Sequence, residues 1–305
     1  MPALTLDAQA LEAYLPHRGV NLLPDLVELN EGRTRAVSRT RVRPSDKRGR
    51  SLMGRTAADG TPCWYEPFLG ELMALTGVPL LHERLAPLNQ VAVFSMISRI
   101  VFDRLAPLDA EVIGEAEITR DRGAFTVFAT RATVNGQRIL EAEVMSGCAA
   151  LADIAKGEPG AGGPAPTGQA VDPALFAWKP APTCFVNAVV SVEPSSGKLV
   201  AAYRYPTNHP FVPGHFPGGP LMMGVTQWAA VADAAWIAAK RFGHRAVLAQ
   251  GTIARPNGTE ILDVRDLELV DDNGVPRITA TKRIAFRDKV LPGDEVLVSV
   301  SVVAR

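Results

Sequence analysis

Residues 221–240, LMMGVTQWAAVADAAWIAAK, constrain the fold more than any other stretch of the chain. They are apolar nearly all round a helix, which marks a buried helix rather than one lying on a surface. Such a helix needs cover on every side, and the neighbouring sequence supplies it. Residues 185–192, 198–205, 260–270, 276–285 and 295–303 read as strands, with turns at 194–197 and 271–274. The first part of the chain repeats the plan. Residues 22–29 and 34–42 flank a turn at Asn30-Glu31-Gly32, and a helix is expected over 67–77 (PFLGELMALTG). Strands follow at 111–119, 124–134 and 139–149, the last two joined by the hairpin signal Asn135-Gly136. One buried helix wrapped by antiparallel sheet, built twice, is an α+β architecture.

Between the repeats, residues 156–183 are dominated by Gly, Pro and Ala. A stretch of that composition cannot bury enough apolar surface to offset its ordering entropy, so it reads as a linker or a strap. Leu175, Phe176 and Trp178 suggest that its later part docks. The expected division is residues 1–155, a linker at 156–183, and residues 184–305, which suits a 305-residue chain. Lys+Arg and Asp+Glu are 32 each, a balance that argues against nucleic-acid binding and against charge-driven membrane attachment. No signal peptide and no membrane-spanning run is expected. The three cysteines, Cys63, Cys148 and Cys184, are far apart and form no disulfide framework or metal-ligand spacing, which fits a cytoplasmic protein.

The most specific segment is Asn208-His209-Pro210-Phe211-Val212-Pro213-Gly214-His215-Phe216-Pro217-Gly218-Gly219-Pro220-Leu221-Met222-Met223-Gly224. It resembles the signature of the hotdog-fold 3-hydroxyacyl-acyl-carrier-protein dehydratases, G-H-F-P-G-x-P-φ-M-P-G (φ apolar) ahead of an apolar helix, with Met223 where that family has Pro. Leu15-Pro16-His17-Arg18 followed by Leu22-Leu23-Pro24-Asp25 resembles the family's opening, and residues 120–149 its closing hairpin. The resemblance implies a double hotdog, two antiparallel sheets each wrapping a central helix and packed as a pseudo-dimer within one chain.

It also implies an activity, dehydration of a 3-hydroxyacyl thioester to a trans-2-enoyl thioester in fatty-acid or polyketide-type synthesis. Removing a weakly acidic α-proton and protonating a departing hydroxide needs a base, an acid and a stabiliser of charge on the thioester oxygen. A neutral histidine suits the base, and a glycine N–H at a helix start suits the oxygen. His215 and Gly224 fit those roles. The family's acid stands fourteen residues after its histidine, a position held here by Ala229. Aligning the first helix instead places Glu71 at the acid position and Ala57 at the histidine position. The losses are reciprocal, so packing of the halves as a pseudo-dimer leaves one composite site, His215 with Glu71.

Several departures accompany this. Leu75 and Asp233 stand where the family often has Gln. The first half's loop is rewritten over 44–67, which leaves Glu66 as a rival to Glu71, and Asp233, one turn beyond position 229 on the second helix, is another. The second half lacks the family's final hairpin, and the earlier 260–285 hairpin is the candidate replacement. Phe216, Pro220, Met222, Met223, Trp228 and Asp233 are candidates for the substrate pocket. His17 is expected to be structural, and His82, His209 and His244 to serve surface or packing roles. The substrate carrier is acyl carrier protein or coenzyme A. An acidic carrier would meet a basic patch, Lys47, Arg48, Arg50 and Arg55 or Lys240, Arg241 and Arg245. No dissociable cofactor or metal is implied, and further self-assembly stays open. A hotdog thioesterase, a double-bond isomerase and a non-catalytic acyl-binding subunit are the alternatives on the same scaffold.

Overall fold

The structure, a computed structural model, describes residues 2–156 and 166–305. The chain begins with β1 (Leu4–Asp7), α1 (Ala8–Tyr14), β2 (Leu26–Leu29) and β3 (Arg35–Thr40). A small hairpin of β4 (Gly54–Thr56) and β5 (Pro62–Trp64) leads into the central helix α2 (Glu66–Gly77) and a short α3 (His82–Leu85). Four long strands follow, β6 (Gln90–Phe102), β7 (Val112–Asp121), β8 (Phe125–Val134) and β9 (Gln137–Ala150). Then come α4 (Leu151–Ala155), β10 (Gln169–Ala170), β11 (Ala188–Glu193), β12 (Lys198–Arg204) and the second central helix α5 (Gly224–Phe242). The chain ends with β13 (Ala246–Ala254), β14 (Glu260–Asp272), β15 (Val275–Thr281), β16 (Arg283–Phe286) and β17 (Glu295–Ala304).

Every residue of α2 is buried, and so is α5 from Val225 to Ala239. Each helix lies close over its sheet because a glycine sits beneath it. A Cβ on Gly114 of β7 would stand 2.5 Å from the Met73 side chain, and one on Gly251 of β13 would stand 2.3 Å from that of Val231. Gly243, at φ 73°, ends α5 in the left-handed conformation that favours glycine. This is the expected α+β double hotdog.

The two half-sheets are continuous. The spatial order is β1-β2-β3-β7-β8-β9-β6, then β15, β14, β13, β17, β12, β11 and β10, with β16 also bridging β14 and β6. The seam is β6, which pairs antiparallel with β15 at Ile100 and Val101 and with β16 at Met96 and Ile97. The halves reach it differently. In the first, the strand after the helix region, β6, is the seam strand. In the second, the strand after the helix, β13, is internal, the β14–β15 hairpin reaches the seam, and the final strand β17 slots beside β12. The 260–285 hairpin therefore does come early, and β17 fills the gap it leaves.

The later part of the predicted linker docks; residues 157–165 of it lie outside the described residues. Phe176 and Trp178 are buried, and Trp236 on α5 donates its indole N–H to the Leu175 carbonyl at 3.1 Å. Lys179 places its ammonium 2.5 Å from Asp233 of α5, both side chains essentially without solvent, and Asp233 also accepts the Phe185 N–H at 2.8 Å. The rings of Tyr65 and Trp178 stand 4.8 and 5.0 Å from the same ammonium. Removing one member of a buried pair strands the other charge, so Lys179→Ala is expected to cost about 3–5 kcal/mol of stability. Lys179→Met combined with Asp233→Leu should recover most of it. Urea midpoints measure both, and an unchanged midpoint for the single variant contradicts the buried pairing.

Candidate active site

The loop between β12 and α5 folds back on itself to present His215. Leu221 donates its N–H to the His215 carbonyl at 2.8 Å, and Phe216 and Gly219 exchange backbone bonds at 3.4 and 3.0 Å. The His215 ring bonds the Leu221 carbonyl through Nδ1 at 3.0 Å. A carbonyl only accepts, so Nδ1 carries the proton and Nε2 keeps a lone pair. Phe216 stacks on this ring with centroids 4.5 Å apart.

Glu71 comes from the other half. It is the sixth residue of α2, as Ala229 is the sixth of α5, which supports the helix alignment made from sequence. Glu71 shares a helical face with Ala74, Leu75 and Val78, and all four line one cavity of about 560 Å³ with His215. Ligand atoms of Glu71, His215 and His17 all lie within 4.8 Å of one another. The expected facing of imidazole and carboxyl across a shared apolar space is therefore present.

His17, expected to be structural, is a member of this cluster. Its Nε2 is 3.6 Å from a Glu71 oxygen, and its ring centroid is 4.9 Å from that of His215. Residues 15–21 are sewn onto the His215 loop. Arg18 donates its N–H to the Gly214 carbonyl at 3.0 Å, and Asn21 donates its side-chain N–H to the Phe211 carbonyl at 2.9 Å. The polar His17 between Pro16 and the apolar run at 22–23 was the one signal in the sequence. It gives no hint of a partner nearly 200 positions away.

Burial sets the electrostatics. All three groups are at most 5% exposed. Loss of solvent pushes His215 down to about 4, with His17 adding to the fall and Glu71 opposing it. Burial, then the Arg18 charge, brings His17 down to about 3. Burial lifts Glu71 to about 7, against the pull of His215. Near neutrality the site holds two neutral imidazoles and a carboxyl that keeps much of its proton.

Gly224 is the first residue of α5 and lines the cavity. Its N–H has no acceptor within the helix, and the positive helix end lies there too. A Cβ at Gly224 would come within 2.8 Å of the Phe286 ring.

Of the pocket candidates, Phe216 and Met222 line the cavity, and Pro220, Met223, Trp228 and Asp233 do not. Met223 is buried and caps α5, its carbonyl accepting the Thr226 N–H at 3.0 Å. Trp228 is stacked on Phe102 in the core, and Asp233 is held by Lys179. Glu66 is likewise occupied: Arg55 grips both its oxygens at 3.0 Å, and the Ile278 N–H reaches one of them at 3.3 Å. Within the candidate basic patches some charges already have partners. Arg48 pairs with Asp25 at 2.9 Å, Arg55 is buried on Glu66, and Lys240 pairs with Asp271 at 2.9 Å. None of the seven residues of those patches borders the cavity, whereas Arg287 and Lys289 do.

No family model matches the chain. Curated relatives do. Over 125 residues the chain is 35% identical to the 3-hydroxyacyl-[acyl-carrier-protein] dehydratase FabZ of Anaeromyxobacter sp. (strain Fw109-5), covering 41% of this chain and 64% of that protein. Over 123 residues it is 30% identical to the FabZ of Aromatoleum aromaticum, covering 40% of this chain and 67% of that protein. The chain belongs to the FabZ dehydratase family. It spans just under two thirds, 64% and 63%, of the FabZ proteins of Anaeromyxobacter and Nitrosomonas europaea. Among solved structures, the dehydratase heterocomplex ApeI:P from Xenorhabdus doucetiae is 12% identical, with 47% of this chain and 93% of that one covered and a TM-score of 0.37. The F36A mutant of the fluoroacetyl-CoA-specific thioesterase FlK is 15% identical, with 39% and 87% covered and a TM-score of 0.33.

Proposed function

We propose that this FabZ-family chain dehydrates a 3-hydroxyacyl thioester, carried on acyl carrier protein or coenzyme A, to the trans-2-enoyl thioester. One observation carries the reading: a neutral imidazole from one half and, from the other, a carboxyl that burial helps keep protonated lie within 4.8 Å in one apolar cavity. His215 Nε2 takes the α-proton, and the electron pair moves toward the thioester oxygen. The Gly224 N–H and the N-terminal end of α5 stabilise the charge there. Glu71 gives its proton to the departing hydroxyl, so water leaves and the double bond forms. Passing the proton from His215 to Glu71 resets the site. His17 is neutral, so it adds no charge that would hold Glu71 ionised.

Residues 1–155 and 184–305 serve as the two hotdog repeats, doing within one chain what two subunits would do in a dimer. Buried Ala57 and Ala229 leave the mirror position without a base or an acid. Lys179 precedes Ala188 of β11 by nine residues, as His17 precedes Leu26 of β2, and its ion pair with Asp233 fills that second region. Among the described residues no helix is long and apolar enough to cross a membrane. The three free cysteines suit a cytoplasmic location.

The test is incubation with a 3-hydroxyacyl thioester on each carrier. Enoyl thioester is the expected product, and free thiol in its place would identify a thioesterase. The reaction needs Glu71 protonated and His215 neutral. The sign follows: kcat/KM falls as pH rises through about 7, where Glu71 loses its proton, and falls again below about 4, where His215 gains one. A rate still climbing above about pH 8 contradicts these assignments.

A further inference from the structure

Dehydration uses one imidazole, and the cavity holds two. His17 is left over from that chemistry. Among the described residues its buried Nδ1 has no hydrogen-bond partner, and neither does the buried Oε2 of Glu71. Its Nε2 stands 3.6 Å from a Glu71 oxygen, beyond hydrogen-bond reach. Opposite stands His215, whose Nδ1–H is donated to the Leu221 carbonyl at 3.0 Å, so that Nε2 is free. A ring oriented by a carbonyl on its far nitrogen is the usual arrangement of a metal-ligating histidine.

Two imidazoles and one carboxylate, beside a space that leaves a coordination position open, form a donor set for a divalent transition ion, with zinc the best fit. Calcium and magnesium want six or more ligands, mostly oxygen, and this site offers one carboxylate. Tetrahedral bonds of about 2.0–2.1 Å put neighbouring donors about 3.3 Å apart. The 3.6 Å between His17 and Glu71 is already near that value. The widest separation in the cluster, at most 4.8 Å, needs closing by about 1.5 Å, within reach of side-chain rotation.

We propose that His17, Glu71 and His215 together bind a divalent transition-metal ion, zinc in particular, and that the ion excludes the substrate and inhibits the enzyme reversibly. A bound ion takes up the Nε2 lone pair of His215 and strips the proton from Glu71, removing base and acid together. The inhibitory part rests on the dehydratase reading; the binding part does not.

The test begins with chelator-treated full-length chain titrated with Co(II) alone, read by its visible d–d absorption, followed by displacement with Zn(II). One ion per chain is expected. His17→Gln and Glu71→Gln should each weaken Zn(II) binding by at least about 100-fold, since even outer partners of a ligand are worth 10–100-fold. Zn(II) should also inhibit turnover competitively with the thioester, and a chelator should restore it. No Co(II) bound at one equivalent, or binding unchanged in both variants, overturns the site. An active enzyme that binds no ion refutes the metal site and leaves the dehydratase reading intact. A chain that binds Co(II) through these residues but dehydrates nothing supports the site and refutes that reading.

Discussion

His215→Ala is expected to lower turnover of a 3-hydroxyacyl thioester by at least about 10³-fold, within the range a positioned general base contributes. Neither neighbour can take over. His17 Nε2 faces Glu71, and Phe216 lies flat on the missing ring. The loop itself should keep its path, because backbone bonds close it: Leu221 N–H to the His215 carbonyl at 2.8 Å and Gly219 N–H to the Phe216 carbonyl at 3.0 Å. The loss should therefore appear in kcat, with the melting temperature near that of the parent. Enoyl-thioester formation and a thermal melt on the same sample read both quantities. Retention of more than about a tenth of the activity contradicts the role of His215.

Glu71→Gln is expected to cost about 10²-fold or more. Glutamine keeps the shape and the neutral charge of the protonated acid but has no acidic proton to give. A merely few-fold loss contradicts the assignment, since the rivals Glu66 and Asp233 are held in ion pairs outside the cavity. The same variant carries its own control for folding. Burial raises Glu71 from 4.5 to about 7, so the folded state holds that proton more tightly than the unfolded chain does. The stability it contributes is fully present below about 4.5 and is lost as pH rises through about 7. Glutamine has no such loss. The variant should melt no lower than the parent at acid pH and higher above neutrality, so lost activity cannot be put down to unfolding.

The sequence made one side of the site legible because that side is local. The turn, the histidine and the helix start all fall within residues 214–224, and the apolar run behind them forces a buried helix. Glu71 was reachable because α2 is uniformly apolar apart from its two glutamates and Thr76, which left few positions to weigh. His17 was not reachable, because its place in the site comes from Arg18 and Asn21 binding the 211–214 segment across the two halves. Strands β6 and β13 went unread for different reasons. Bulges interrupt the register of β6 between Phe94 and Met96 and between Ile97 and Arg99, breaking the simple alternation that marks a half-buried strand. β13 alternates regularly, but Ala249 and Gly251 hold two of its four buried positions and are too small to stand out as apolar. The sequence could not show which basic residues are already partnered, because charge runs along the chain say nothing of where partners sit. Arg55 is buried on Glu66, and Arg48 is tied to Asp25 and to the Leu23 carbonyl.

A co-expression experiment tests the single composite site most directly. His215→Ala and Glu71→Gln chains, distinguishably tagged, are produced in one cell and co-purified, so that any assembly they form contains both. Wild-type chain should convert a 3-hydroxyacyl thioester to the enoyl thioester, and the mixed preparation should stay as inactive as either variant, because both groups must belong to one chain. A wild-type chain inert toward both carriers, or a mixed preparation that regains activity by joining His215 of one chain to Glu71 of another, would contradict it.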